Sequence, residues 1–171
     1  MNEATNEATN EASTKMQNSV RPLNEGDLDR VIAIDRAHSG VPRRHFYAKR
    51  FAAAAARPDE FIQLGVVHGG VLHGFAIARV FSGEFGRESK IAMLDAIGVG
   101  TEVQERGVGH ELMAALVAAM RKAGVMKLQS QAAWTNHPLL RFFDASGFTL
   151  ADRTVLERSV AAPFAERNEE E

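Results

Sequence analysis

The chain has 171 residues, of which 45% are hydrophobic and 25% are charged, a balance typical of one globular domain with a substantial core. It contains no cysteine, which excludes a disulfide framework, a thiolate metal site and a cysteine nucleophile. The formal net charge is −2, but residues 1–16 carry −2 and residues 165–171 carry −3, so the body between them carries +3. Such a body suits a phosphate-bearing small molecule and is too weakly basic for nucleic acid.

The two ends differ from the body. Residues 1–16 repeat the unit Asn-Glu-Ala-Thr and then lose it, with too little apolar surface to offset the entropy of ordering. We therefore expect residues 1–16 to be disordered, residues 17–160 to form the domain and residues 161–171 to be an acidic tail. The start is not a secretory signal and no apolar run could span a bilayer, so a cytoplasmic location without membrane contact is expected.

The first half of the domain predicts a strand, two helices and a hairpin. Helical spacing of apolar residues follows Asn24 and Asp27, either of which can cap the first helix. Gly69 and Gly70 form a tight turn between two strands rich in β-branched residues. The predicted ranges are Ser19–Arg21, a helix from Leu28, a helix over Arg43–Ala56, and strands over Phe61–Val67 and Val71–Phe81.

The second half predicts alternating strands and helices. Gly124 and Gly147 mark helix ends, and Asn136 or His137 can cap the last helix. The predicted ranges are a strand over Lys90–Val99, a helix over Gly107–Ala123, a strand over Val125–Ala132, a short helix from Pro138, and a final strand or hairpin over Thr149–Ser159. This order predicts a mixed α/β fold with helices on both sheet faces.

The most informative segment lies between Val99 and Leu112. A strand leads through a short loop into a helix whose first turn contains Gly107 and Gly109. The first amides of a helix have no partner within it and carry partial positive charge, so they bind anions. Leu112 stands where a dinucleotide motif needs a small residue, and the Gly-Lys-Ser/Thr of a P-loop is missing. Either the glycines admit a diphosphate, or they only let the helix begin close to the sheet.

The run Gln104-x-x-Gly107-x-Gly109 resembles the Gln/Arg-x-x-Gly-x-Gly/Ala signature of the GNAT superfamily of acetyltransferases. The preceding Leu94–Val99 is similar to that family's fourth strand. A second motif of the family, a short helix ending in Gly-Phe, is similar to Asn136-x-x-Leu139-x-x-Phe142-Phe143-Asp144-x-x-Gly147-Phe148. The resemblance covers about residues 20–158. It implies a GNAT-like, mostly antiparallel sheet whose fourth and fifth strands splay apart.

The resemblance further implies acetyl-CoA as co-substrate, with its pantetheine arm in the splay. A bulge that helps the splay is expected at Gly98. Backbone groups of Ile97 and Val99 would bind the arm, and Asn136 with Phe142 or Phe143 would lie beside it. The diphosphate would be bound by amides between Glu105 and His110, a stretch that also contains Arg106, Gly107, Val108 and Gly109.

The reaction implied is direct attack of an amine on the thioester. The amine must lose a proton, because a lysine-type amine has a pKa near 10.4. Asp95, four residues before Val99, is a candidate base where relatives often have glutamate, and Glu102 is a second candidate. The alternative is that Asp95 only closes a strand or pairs with an arginine.

One position departs from the family pattern. Relatives often have a tyrosine four residues before the glycine of Gly-Phe, as acid to the leaving thiolate, but this chain has Phe143. Three readings follow: the thiolate leaves unaided, Tyr47 or Ser146 supplies the proton, or catalysis has been lost.

The acceptor is expected to be a primary amine on a small molecule or peptide, bound near the first two helices. Arg43 and Arg44 either meet a carboxylate on it or only form the solvated start of a helix. No metal site is predicted, and a homodimer is expected from the resemblance only. A non-catalytic acyl-CoA sensor with the same fold is the main alternative function, and a pure interaction protein is a weaker one.

Overall fold

The computed structural model describes residues 19–82, 89–104 and 106–161. The predicted repeat tail and most of the predicted acidic tail lie outside these ranges. Among the described residues no helix is both long enough and apolar enough to cross a membrane.

Within these ranges five strands form one sheet in the order β1-β2-β3-β4-β5. The first four are antiparallel neighbours, and β5 is parallel to β4. Gly69 and Gly70 connect β2 to β3 with φ angles of 55° and 81°, the left-handed pair that a two-residue hairpin requires. The strands are β1 Ser19–Pro22, β2 Phe61–His68, β3 Val71–Phe81, β4 Lys90–Val99 and β5 Val125–Ser130.

The α-helices of the described part of the chain cover both faces of the sheet. On one face α1 and α2 bury Val31, Tyr47 and their neighbours against β2 and β3. On the other face α3 buries a stripe that includes Leu112 and Leu116. The helices are α1 Leu28–Ser39, α2 Arg44–Ala56, α3 Val108–Lys122 and α4 His137–Ala145. The predicted mixed α/β architecture is confirmed.

The predicted final strand or hairpin over Thr149–Ser159 is wrong, because residues 149–161 contain no strand. Alternating apolar residues there remain in solvent: Leu150 is 100% exposed and Leu156 is 88% exposed. Alternation creates a strand only where a sheet edge accepts the segment, and residues 149–161 pair with none.

Candidate active site

A wedge opens between β4 and β5. Their parallel register ends at the pair Leu94 and Ser130, whereas β4 continues to Val99. Ser130 Oγ donates to the Leu94 carbonyl across 3.2 Å and marks the apex of the wedge. The predicted splay of these two strands is therefore confirmed.

The bulge that accompanies the splay lies at Asp95. The register between β3 and β4 steps from Ile77 opposite Ala96 to Ala78 opposite Leu94, so Asp95 has no opposite residue. The prediction of a bulge at Gly98 is wrong. Gly98 is required for another reason: a Cβ there would lie 2.8 Å from the Phe75 ring.

The free edge of β4 presents backbone groups to the wedge. The Gly100 N–H donates to the His73 carbonyl at 2.7 Å, so Gly100 faces β3. Backbone groups alternate sides along a strand, so those of Ile97 and Val99 face the wedge. The Val99 carbonyl accepts a hydrogen bond from His38 Nε2 at 2.7 Å, and its second lone pair remains for another donor.

The start of α3 lies at the open end of the wedge. Gly107 caps the helix with a φ of 80°. The first intrahelical bond runs from the Glu111 N–H to the Gly107 carbonyl at 3.0 Å. The helix therefore leaves the N–H groups of Val108, Gly109 and His110 without intrahelical partners, as an anion site requires.

The two glycines of this turn have different roles. A Cβ on Gly107 would meet nothing within 4 Å, so the left-handed φ alone favours glycine there. A Cβ on Gly109 would lie 3.0 Å from Phe142 Cε2 and 3.7 Å from Val99 Cγ2. Gly109 thus lets Phe142 pack closely against the start of α3.

Helix α4 brings one aromatic ring to the wedge and buries the next. Phe142 contacts the start of α3, with its ring 5.9 Å from that of His110. Phe143 is 7% exposed and packs in the core, 4.7 Å from the Phe148 ring. Asn136 caps α4 by accepting from the Leu139 N–H at 3.3 Å.

The remaining predicted binding residues lie on the loop before α3. Gln104 follows a 3₁₀ turn over Thr101–Val103, and Arg106 is exposed at the rim. Glu105 lies outside the described residues.

Asp95 is held by two arginines. Arg79 donates through Nε to Asp95 Oδ2 at 2.7 Å and through Nη2 to Oδ1 at 2.9 Å. Arg50 Nε lies 2.7 Å from the same Oδ2 as an ion pair, although its N–H is not aimed at that oxygen. The Asp95 side chain is 6% exposed. Neither arginine was singled out from the sequence, because an isolated arginine on a helix or strand gives no signal of its partner.

Glu102 lies at the opposite end of the wedge. It pairs with Arg30 and lies 3.6 Å from His73 Nδ1. Its own backbone N–H and the Arg30 guanidinium together hold the pKa of Glu102 below its ordinary value. The two candidate bases are therefore not brought together.

The predicted proton donors are buried, and the arginines predicted to bind the acceptor are already paired. Tyr47 is fully buried, and burial raises the pKa of its hydroxyl far above the ordinary value. Ser146 Oγ is buried and makes no hydrogen bond to the described residues. Arg43 and Arg44 pair with Asp35 and Asp29, so both of their charges are already matched.

A family model, that of the acetyltransferase (GNAT) family, matches residues 28–148. The chain belongs to this family. No curated protein matches the sequence.

Solved structures share the GNAT fold at low sequence identity. AAC(6')-Iy in complex with the bisubstrate analog CoA-S-monomethyl-acetylneamine is 20% identical with a TM-score of 0.69, covering 84% of this chain and 98% of that chain. AAC(6')-Ih, an aminoglycoside antibiotic 6'-N-acetyltransferase from Acinetobacter baumannii, is 16% identical with a TM-score of 0.69 and the same coverage. A transcriptional regulator from Bacillus halodurans C-125 is 16% identical with a TM-score of 0.70, covering 84% and 99%.

Proposed function

We propose that this GNAT protein transfers an acetyl group from acetyl-CoA to a primary amine by direct attack. The observation that carries the proposal is the start of α3, where three amides unused by the helix lie beside the open end of the β4–β5 wedge. Acetyl-CoA combines a diphosphate with a long amide-bearing arm, and the site offers an anion-binding turn followed by a free strand edge.

The coenzyme fits the wedge in one direction. Its diphosphate would bind the amides of Val108, Gly109 and His110, with Arg106 adding charge at the rim. The pantetheine arm would lie along Ile97 and Val99 as an added strand. The proposed binding segment from β4 to α3 also contains Gly98, Gln104 and Glu105. Across the wedge, the proposed binding residues are Asn136, which caps α4, and Phe142 and Phe143 in that helix.

This direction places the thioester near the apex. Val99 and Asp95 are four residues apart, roughly 13 Å along an extended strand. The diphosphate lies at the Val99 end, so the reacting carbon lies toward Asp95. Asp95 is therefore the better placed of the two candidate bases, and Glu102 lies at the phosphate end.

Acetyl-CoA supplies a thioester whose carbonyl carbon accepts the amine nitrogen. The C–N bond forms as the C–S bond breaks, and the amine loses one proton while the thiolate leaves. We assign that proton to Asp95, through a water, and the oxyanion to the amide of Ile97, since Val99 lies at the diphosphate end. An alkyl thiol has a pKa of about 8.5, so its thiolate leaves without the acid that Phe143 cannot supply.

The test of the proposal is thiol release from acetyl-CoA with a panel of primary amines. Release that depends on an amine, with a matching mass gain of the amine, is expected. Asp95→Asn should lower kcat and leave the KM for acetyl-CoA unchanged, whereas a purely structural role would lower Tm without a selective loss of kcat. Acetyl-CoA that neither binds nor reacts would refute the function.

A second candidate is a non-catalytic acyl-CoA sensor with the same fold. Phe143, a phenyl ring where relatives often have the acidic tyrosine, favours it. Tight acetyl-CoA binding without thiol release under any amine would select this alternative.

A further inference from the structure

A cavity of about 550 Å³ lies on the α2 face of the sheet, away from the predicted diphosphate turn. It is formed by α2, the turn that follows α2, and the adjoining parts of β3 and β4. We call it the arginine cavity. Its charged lining residues are Arg50, Arg57, Arg79, Lys90, Asp59 and Glu60.

One carboxylate serves two guanidinium groups at the inner end of this cavity. Near the mouth, Arg57 is matched by Glu60 at 2.9 Å. At the inner end, Arg50 and Arg79 share the single carboxylate of Asp95. Two guanidinium ions facing one buried carboxylate leave one positive charge without a matching anion among the residues that the structure describes.

The two guanidinium groups also keep donors free. Within the described part of the chain, Arg79 uses only Nε and Nη2 in hydrogen bonds, and neither Nη of Arg50 makes one. Each group is held in place over an aromatic ring, Arg50 at 5.0 Å from the Phe46 centroid and Arg79 at 5.1 Å from that of Phe81. Fixed guanidinium forks with free N–H groups match the geometry of a carboxylate.

The inner end of the arginine cavity meets the apex of the wedge. Both arginines contact Asp95, and Asp95 is the bulged residue next to the last pair between β4 and β5. A molecule whose anionic group is bound by Arg50 and Arg79 therefore has its other end close to the point where the proposed reaction takes place.

We propose that the acceptor amine carries a carboxylate, which Arg50 and Arg79 bind, so that they determine acceptor specificity. The inference rests on the proposed function. The same cavity disfavours polycationic acceptors such as aminoglycosides, since their amines would face uncompensated guanidinium charge. Arg43 and Arg44, which the sequence suggested for this role, are already paired with aspartates.

The test compares amino acids with their neutral amides as acceptors. The pairs are glycine and glycinamide, β-alanine and β-alaninamide, and 4-aminobutyrate and 4-aminobutyramide, with spermidine as the polycation. For the best pair the wild type should prefer the carboxylate in kcat/KM by about 10-fold or more, the discrimination expected of a charge-assisted hydrogen bond. Spermidine should be the poorest acceptor.

Two variants test whether Arg50 and Arg79 cause the preference for a carboxylate. Arg50→Gln and Arg79→Gln, each tested singly, should bring the ratio toward one mainly through KM. Arg121→Gln, an exposed arginine on α3 with the same loss of charge, should keep the wild-type ratio. An amide also changes the pKa of its neighbouring amine, so ratios are compared between proteins. If neither variant folds, the test is the wild-type ratio of kcat/KM for 4-aminobutyrate over 4-aminobutyramide, because in this pair the amine is farthest from the amide. A ratio of about 10 or more supports the inference, and a ratio near one overturns it.

The outcomes separate the two proposals. Thiol release with neutral amides or spermidine and no preference for carboxylates overturns this inference and leaves the acetyltransferase function standing. A carboxylate preference that persists in both variants also overturns it. No binding or reaction of acetyl-CoA with any probe refutes the function and this inference with it.

Discussion

Replacing Gly109 by alanine tests how closely α4 packs against the start of α3. The new Cβ would lie 3.0 Å from Phe142 Cε2, which is closer than ordinary van der Waals contact, so the ring must move. Overpacking costs about 1–3 kcal/mol, and alanine in place of glycine within a helix regains up to about 1 kcal/mol, so we expect a net loss of about 1 kcal/mol. In a chain of 171 residues this lowers Tm by about 2–4 °C.

The same substitution should weaken acetyl-CoA binding more than it weakens the fold. The alanine Cβ would also lie 3.7 Å from Val99 Cγ2, so the displaced ring and the new methyl group both narrow the wedge. We expect Kd for acetyl-CoA to rise about 10-fold, equivalent to about 1.4 kcal/mol. Isothermal titration calorimetry measures Kd, and thermal unfolding measures Tm.

A second substitution isolates the cause. Phe142→Leu shortens the side chain that meets the new methyl group, so it should be less harmful in the Gly109→Ala background than in the wild type. The double-mutant cycle should show a coupling of at least about 0.5 kcal/mol in unfolding free energy. Additive effects, or a Gly109→Ala protein with unchanged Tm and Kd, would refute the packing argument.

Three other residues give further predictions. Burial opposes ionisation of Asp35, but the hydrogen bond from Arg43 outweighs burial and holds the pKa of Asp35 below its ordinary value. The ionised Asp35 therefore stabilises the fold above about pH 4, and this stabilisation is lost as the pH falls further. Urea unfolding between pH 7 and 3 measures the free energy of unfolding, which should fall less at acidic pH for Asp35→Asn than for the wild type. The exposed control Asp29→Asn should fall as the wild type does, and an equal fall for all three proteins would contradict this. Phe143→Tyr should retain acetyl transfer, measured as thiol release; complete inactivation with coenzyme binding intact would count against the proposed pocket. Gly107→Ala should cost about 1–2 kcal/mol through its positive φ and Gly107→Asn less, as thermal unfolding will show; equal losses would argue against backbone strain.

The sequence predicted those parts of the fold that depend on local patterns. The apolar stripe from Val108 to Met120 places α3 to within one residue at each end, because a helix is defined by contacts three and four residues apart. Gly69 and Gly70 likewise identify the β2–β3 hairpin, since only their conformation closes a two-residue turn.

Features that depend on distant pairing were not predictable. The bulge lies at Asp95 and not at Gly98, because the register between β3 and β4 sets its position. The alternation of apolar residues after residue 149 suggested a strand, but a segment forms a strand only where a sheet edge is free to pair with it. The partners of Asp95, Arg50 and Arg79, are 45 and 16 residues away in sequence, so only the fold brings them together.

The central claim is that the first amides of α3 bind the diphosphate of acetyl-CoA in the β4–β5 wedge. A crystal structure of the acetyl-CoA complex tests it most directly. We expect diphosphate oxygens within about 3 Å of the Val108, Gly109 and His110 nitrogens, with the pantetheine arm along Ile97 and Val99. A diphosphate bound elsewhere, with these three nitrogens not in contact with the coenzyme, would contradict the claim.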